Sequence, residues 1–182
     1  MTKLGIFSWF SYPLPIEERL QMIKQAGFEA TSLWWGDENK HLQPEMARKM
    51  GLHIDNIHTP FNHPNDFWLD NLDGEDYLNM LVSCVNNCMQ HNIPVAVIHV
   101  TGFSTPTEIT QIGMDRIKRL VDIAENKKVY LAFENLNFLH HLDYIFENIK
   151  SDYLGFCYDS GHENCFHHDA ECLSRYGNRL FA

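Results

Sequence analysis

The chain has 182 residues, 45% of them hydrophobic and 21% charged, with a formal net charge of −10. That length and balance suit one globular domain with a sizeable core. The negative charge, with no dense cluster of Lys and Arg to reverse it locally, argues against a nucleic-acid partner. Apolar stretches reach only about six residues against the roughly twenty that cross a bilayer, and Met1-Thr2-Lys3 leads straight into a strand-like run without a leader. The expectation is a cytoplasmic protein with no membrane partner. Five cysteines, an odd number without a CxxC, read as reduced thiols. Neither GxxxxGK[ST] nor GxGxxG occurs, so no phosphate cradle is predicted.

In chain order, short β-branched or aromatic runs alternate with amphipathic stretches. Strands are predicted at 4 to 9, 30 to 35, 53 to 58, 95 to 100, 129 to 134 and 154 to 159. Helices fall near 15 to 26, 44 to 50, 70 to 91, 107 to 126, 141 to 149 and 169 to 176. Pro15 with Glu17 and Glu18 suits a first helical turn, Asp70 is placed to cap the third helix, and Gly27 and Gly51 follow helices where a left-handed residue ends the turn. No linker divides the chain, so residues 1 to 182 read as one domain. Arg179 to Ala182 resembles the opening of a seventh strand. Consecutive polar strand ends fit a TIM (β/α)8-type barrel better than a doubly wound sheet, whose chemistry gathers at one switch point. Barrels of this type usually need about 250 residues. The expectation is therefore a barrel truncated after about six βα units, its C-terminal units missing.

Four of the runs end in groups that bind cations or sugar hydroxyls: His58, His99, Glu134, and Asp159 with His162 three residues on. A carboxylate leaving a buried strand, as at Glu134, is costly unless a metal or an ion-pair partner compensates it. Asp159 and His162 flank a Ser-Gly pair, and Gly161 is expected to bend the turn so that both face one point; an Asx turn is the plainer reading. His58 and His99 are each as readily structural histidines as ligands. Together the set suits a divalent metal of the Mn, Zn, Co or Mg kind. Trp9, Phe10, Trp34 and Trp35 close the first two strands, where Trp9 and Trp35 could stack on a sugar ring or simply fill the core. His140-His141 and His167-His168-Asp169 read as solvated turns rather than sites.

The segments Ile57-His58-Thr59-Pro60-Phe61, Ile98-His99-Val100-Thr101-Gly102, Phe133-Glu134-Asn135-Leu136-Asn137 and Tyr158-Asp159-Ser160-Gly161-His162 together resemble the xylose isomerase-like barrel superfamily, most of all its sugar phosphate isomerase/epimerase branch. The resemblance implies a metal-dependent isomerase or epimerase of keto sugars or related polyols that moves a proton beside a carbonyl through an enediolate. Glu134 and Asp159 would be the first two metal-binding carboxylates, with Glu134 also one of two acid/base groups. His162 would touch substrate oxygens, while His58 and His99 would line the pocket. The related apurinic-site endonucleases use these five positions as zinc ligands in a phosphodiesterase site, which is the rival enzyme class. A non-catalytic binding or scaffold protein is the third. The chain departs from the branch at Thr31-Ser32-Leu33, where a carboxylate is common, and at Phe138-Leu139-His140, where many epimerases carry a Glu. The branch's later His and second catalytic Glu would lie beyond Ala182, so the resemblance carries the expectation of an inactive truncated form. Barrel edges left open would favour a homo-oligomer.

Overall fold

The computed structural model describes residues 3–103, 108–167 and 170–182. Six strands form one sheet: β1 (Gly5–Phe7), β2 (Ala30–Trp34), β3 (His53–His58), β4 (Val95–Ile98), β5 (Tyr130–Glu134) and β6 (Leu154–Cys157). All neighbours are parallel and the order is sequential from β1 to β6. A doubly wound sheet would reverse its order at a switch point. The architecture is that of an α/β TIM-type barrel wall with six βα units.

The helices are α1 (Ile16–Gln25), α2 (Gln43–Lys49), α3 (Leu72–Gln90), α4 (Gln111–Lys127), α5 (Leu139–Asn148), α6 (Ser160–Phe166) and α7 (Cys172–Tyr176), with a 3-10 turn at Pro64–Trp68 before α3. In α3 the buried Tyr77, Leu78, Leu81, Cys84, Val85 and Cys88 recur at helical spacing, giving one stripe that faces the sheet. Gly27 and Gly51 end α1 and α2 at φ of 90° and 72°, as the sequence predicts. The cap of α3 differs from expectation. Asn71, not Asp70, accepts from the Gly74 amide at 2.8 Å, because the helix starts at Leu72 and the cap must precede it by one residue. Thr110 caps α4 in the same way. Residue 107, the predicted start of that helix, and residue 169, the predicted start of the last, lie outside the described residues.

The main core lies between sheet and helices. Leu33, Ile57, Ile98, Phe133 and Phe156 point outward from the strands against Leu20, Leu78, Leu120 and Ile145. On the opposite face of the sheet Val95, Val97 and Ala132 form a smaller cluster with Cys157, Phe181 and Ala182. The C-terminal residues continue the wall beside β6: the Phe181 amide donates to the Phe156 carbonyl at 2.9 Å, and the Tyr158 amide to the Ala182 carbonyl at 2.9 Å. Leu180 bridges Phe156 in parallel, so the segment runs as the opening of a seventh strand. Among the described residues no helix is long and apolar enough to cross a membrane.

Two loops at the C-terminal ends of the strands are held by one residue. Buried Arg19 donates to the Ser8 carbonyl at 3.0 Å and to the Leu14 carbonyl at 3.1 Å, and pairs with Asp37 after β2. This fixes the β1 and β2 exits relative to each other.

Candidate metal centre

Side chains alternate between the two faces of a strand, so residues two apart share a face. That rule carries His58, His99 and Glu134 to the concave face at the ends of β3, β4 and β5. The Glu134 carboxylate, on a residue 4% exposed, is their meeting point. His99 Nε2 donates to Oε2 at 2.6 Å, and His58 Nε2 to the same oxygen at 3.2 Å. The other ring nitrogen of His58 donates to the Thr59 carbonyl at 2.9 Å. His162 Nδ1 stands 3.1 Å from Oε1, off the line of a good hydrogen bond. The two carboxylate oxygens therefore face different partners.

Electrostatics follow from this arrangement. Burial would push the Glu134 carboxyl up, but the close approach of His162 and the hydrogen bonds from His58 and His99 outweigh it and hold the group well below the usual carboxylate range. Burial lowers the His99 imidazole despite Glu134 beside it. His99 is thus neutral with its proton on Nε2, and its buried Nδ1 has no hydrogen-bond partner among the described residues. For His162, burial works against charging, yet Glu134 and Asp159 prevail and raise it.

Asp159 stands where β6 hands over to α6. Its Oδ1 accepts the His162 amide at 2.7 Å, making it the N-cap of that helix. The expected Ser-Gly bend is instead the first turn of α6. Gly161 holds no positive φ, and helical geometry rather than a glycine kink brings His162 back toward Asp159. Buried Asn135 sets the spacing between the two carboxylate residues. Its amide nitrogen donates to the Asp159 carbonyl at 2.8 Å, and its oxygen accepts the Asp159 amide at 2.7 Å. The Glu-Asn pair in the motif was the only trace of that role in the sequence.

Glu134, Asp159 and His162 offer three ligand atoms within 4.8 Å of one another, and His58, His99 and Glu134 form a second such trio. Ligands bound near 2.1 Å to one ion stand roughly 3–4 Å apart. The mixed imidazole and carboxylate donors, and a His162 nitrogen aimed near Oε1 without a good hydrogen bond to it, fit a divalent cation between Glu134, Asp159 and His162.

The aromatic residues divide differently from expectation. Trp35 is 1% exposed and lies in the helix-facing core, its Nε1 donating to Asn87 at 3.3 Å. One residue earlier, Trp34 faces the site, with its ring 5.6 Å from His58 and 5.0 Å from Phe61. Strand alternation is the reason: Trp34 and Trp35 must point to opposite faces. Trp9 is half exposed on the rim, 6.4 Å from Trp34. Phe61 stacks on His99 at 4.7 Å and 16°, a contact that no sequence pattern announces. The cavity, about 340 Å³, also exposes Ser32, Asn56, Phe103 and Cys157. His141 is buried edge-on to Trp68 at 4.9 Å, and is not a solvated turn. His167 Nε2 donates to the Leu136 carbonyl at 2.6 Å, while His168 and Asp169 lie outside the described residues.

The model of the xylose isomerase-like TIM barrel matches residues 20–182. The chain belongs to the xylose isomerase-like TIM barrel family. No curated protein matches it by sequence. Among solved structures, a D-tagatose 3-epimerase-like protein superposes with a TM-score of 0.80 at 19% identity, over 98% of this chain and 73% of that one. The 3-keto-D-glucoside 4-epimerase of E. coli gives 0.75 at 16% identity, over 99% and 77%. The AP endonuclease, family 2, of Brucella melitensis gives 0.77 at 10%, over 99% and 77%. At these identities the likeness is one of fold. Structural neighbours of this xylose isomerase-like barrel thus include sugar epimerases and a nuclease.

Proposed function

We propose that this barrel acts on a keto sugar or related polyol by metal-assisted proton transfer at the carbon beside the carbonyl. The observation that carries the reading is the ionised, buried Glu134 carboxylate, gripped by three histidines with Asp159 next to it. Glu134, Asp159 and His162 would hold a divalent cation of the Mn, Zn, Co or Mg kind. When bound, it polarises the sugar carbonyl and the neighbouring hydroxyl, making the C–H between them more acidic. Glu134 is the group that takes and returns that proton. Neutral His99 fixes the carboxylate through Oε2 together with His58, and His162 faces the substrate oxygens. Phe61 and Trp34 keep the histidines in place and exclude water from one wall.

Inversion at a carbon needs acid/base groups on both faces. Glu134 and Asp159 are the only carboxylates among the described residues lining the cavity. The test is therefore isotope exchange as well as turnover. With Mn²⁺ and D-tagatose in deuterated water, deuterium should enter the position beside the carbonyl, and Glu134→Gln should abolish it. Metal content unchanged by both Glu134→Gln and Asp159→Asn would refute the site. The two trios sharing Glu134 favour the endonuclease-like phosphodiesterase as the second reading, against which stand the −10 charge and the absence of Lys or Arg among the described lining residues. Cleavage of an abasic-site duplex would decide for it. Leu4 and Ile6 are 68% and 36% exposed along the β1 edge, which supports pairing with a second copy. A single monomeric species in micromolar sedimentation overturns that part.

A further inference from the structure

Resting on that reading, the structure points to a hydroxyl-recognition subsite made by Ser32 and Asn56, opposite in chemistry to the histidine and carboxylate end of the cavity. We propose that this pair selects the configuration of a substrate hydroxyl away from the reacting carbon.

The first observation is a break in strand register. β2 and β3 pair Thr31 with Ile54, but the next pair is Ser32 with Asn56, leaving Asp55 as an extra residue. Bulges of this kind concentrate beside functional sites, where they re-aim a side chain. Here the buried Ile54 and Ile57 both face the helix layer although they stand three positions apart, an odd offset that uninterrupted alternation forbids. The inserted residue is what lets Asn56 and His58 both reach the cavity while the isoleucines stay in the core.

The second observation is the hydrogen-bond account. The Ser32 hydroxyl is bonded to the Asn56 side-chain amide. Whichever way round that amide sits, Ser32 uses one of its polar atoms and the other has no protein partner among the described residues. Both side chains are half buried and both line the cavity. Nearby Phe7 and Val97 offer no polar atom to compete. A neutral, fixed donor and acceptor pair in an otherwise apolar stretch matches a sugar hydroxyl, which both donates and accepts. It offers nothing to a phosphate beyond one amide.

The experiment is calorimetric binding to the full chain with Mn²⁺ present, using D-fructose, its C4 epimer D-tagatose and its C3 epimer D-psicose, and D-fructose 6-phosphate as the charged probe. Wild type should prefer one of the three epimeric ketoses to the others and to the phosphate. Asn56→Ala should bind the preferred ketose roughly tenfold more weakly, the worth of one well-made hydrogen bond, and should bring the three ketoses to within about twofold of each other. Ser32→Ala, which frees the amide to turn, should erode selectivity with a smaller loss. Mn²⁺ stoichiometry reports that each variant keeps its site. A purely structural role would weaken all ketoses by the same factor and leave their ranking intact, which overturns the subsite. If wild type discriminates but Asn56→Ala discriminates equally, the subsite falls and the proposed function stands. If wild type binds none of the ketoses, the proposed function falls and the subsite with it.

Discussion

Removing the Arg116 guanidinium should cost this fold about 3 kcal/mol. Arg116 projects from α4, is 2% exposed, and donates to the carbonyls of Phe67 at 2.9 Å, Leu69 at 2.6 Å, Asn71 at 3.1 Å and Asp66 at 3.4 Å, and to Glu75 at 3.0 Å. These groups belong to the connection between β3 and α3 and to the first turn of α3. Arg116→Met keeps most of the stem and deletes the fork. The Phe67 carbonyl is buried and loses a charged donor, worth about 2 kcal/mol. Water can reach the carbonyls of Asp66, Leu69 and Asn71 in part, so together they lose about 1 kcal/mol. The sum agrees with the roughly 3–5 kcal/mol for breaking a buried charge pair. In a chain of this length that lowers the thermal midpoint by about 6–12 °C. Urea unfolding followed by tryptophan fluorescence and circular dichroism measures it. The same connection carries Trp68, which donates to the Val100 carbonyl at 2.6 Å, and Asn65, which accepts the Gly102 amide at 2.8 Å. Hydrogen exchange at Gly102 should therefore quicken. A folded Arg116→Met protein that loses less than about 1 kcal/mol would refute the reasoning.

Glu75 shows the same clamp through pH: the hydrogen bond from Arg116, with Arg119 adding to it, lowers its carboxyl below the ordinary 4.5. Its stabilisation is complete above pH 4.5 and is lost as pH falls through the folded value, so Glu75→Gln should flatten the acid limb of stability against pH; an unchanged limb counts against the pair. Asp159→Ala should cost about 1 kcal/mol through loss of the α6 cap, whereas Asp159→Asn keeps an acceptor and should be nearly neutral without metal; thermal melts with and without Mn²⁺ should show the Asn variant losing the cation's stabilisation, and equal stabilisation of both would remove Asp159 from the site. Gly113→Ala puts a Cβ into the buried Trp68 ring, so despite about 1 kcal/mol of gained helix propensity it should destabilise by about 1–3 kcal/mol, and a stabilised variant refutes the close packing. Trp35→Ala should cost about 3–5 kcal/mol and Trp9→Ala less than about 0.5 kcal/mol in denaturant titrations, since only the first is core.

All six strands and the handover of Glu134 and Asp159 at their ends could be read from the sequence, because buried parallel strands are continuous apolar runs and a charge that ends one stands out. What escaped had specific physical causes. α6 is seven residues long and buries none of them, so it carries no apolar periodicity to detect. The Trp34 and Trp35 assignment turned on the phase of β2, which a two-residue aromatic run leaves open. The bulge at Asp55 is a register event between two strands and has no signature within either one. Asn135 acts across strands, and a single-chain pattern contains no record of what it faces.

The reciprocal bonds between Asn135 and the Asp159 main chain have a metrological consequence. They tie the main chain at the end of β6 to the buried Asn135 side chain at the end of β5, so the gap between the two carboxylate residues stays close to the strand pitch, about 4.8 Å in any sheet. A cation seated there meets a gauge of nearly fixed width, and ions of different radius would be sorted by how far Glu134 and Asp159 must lean to touch them.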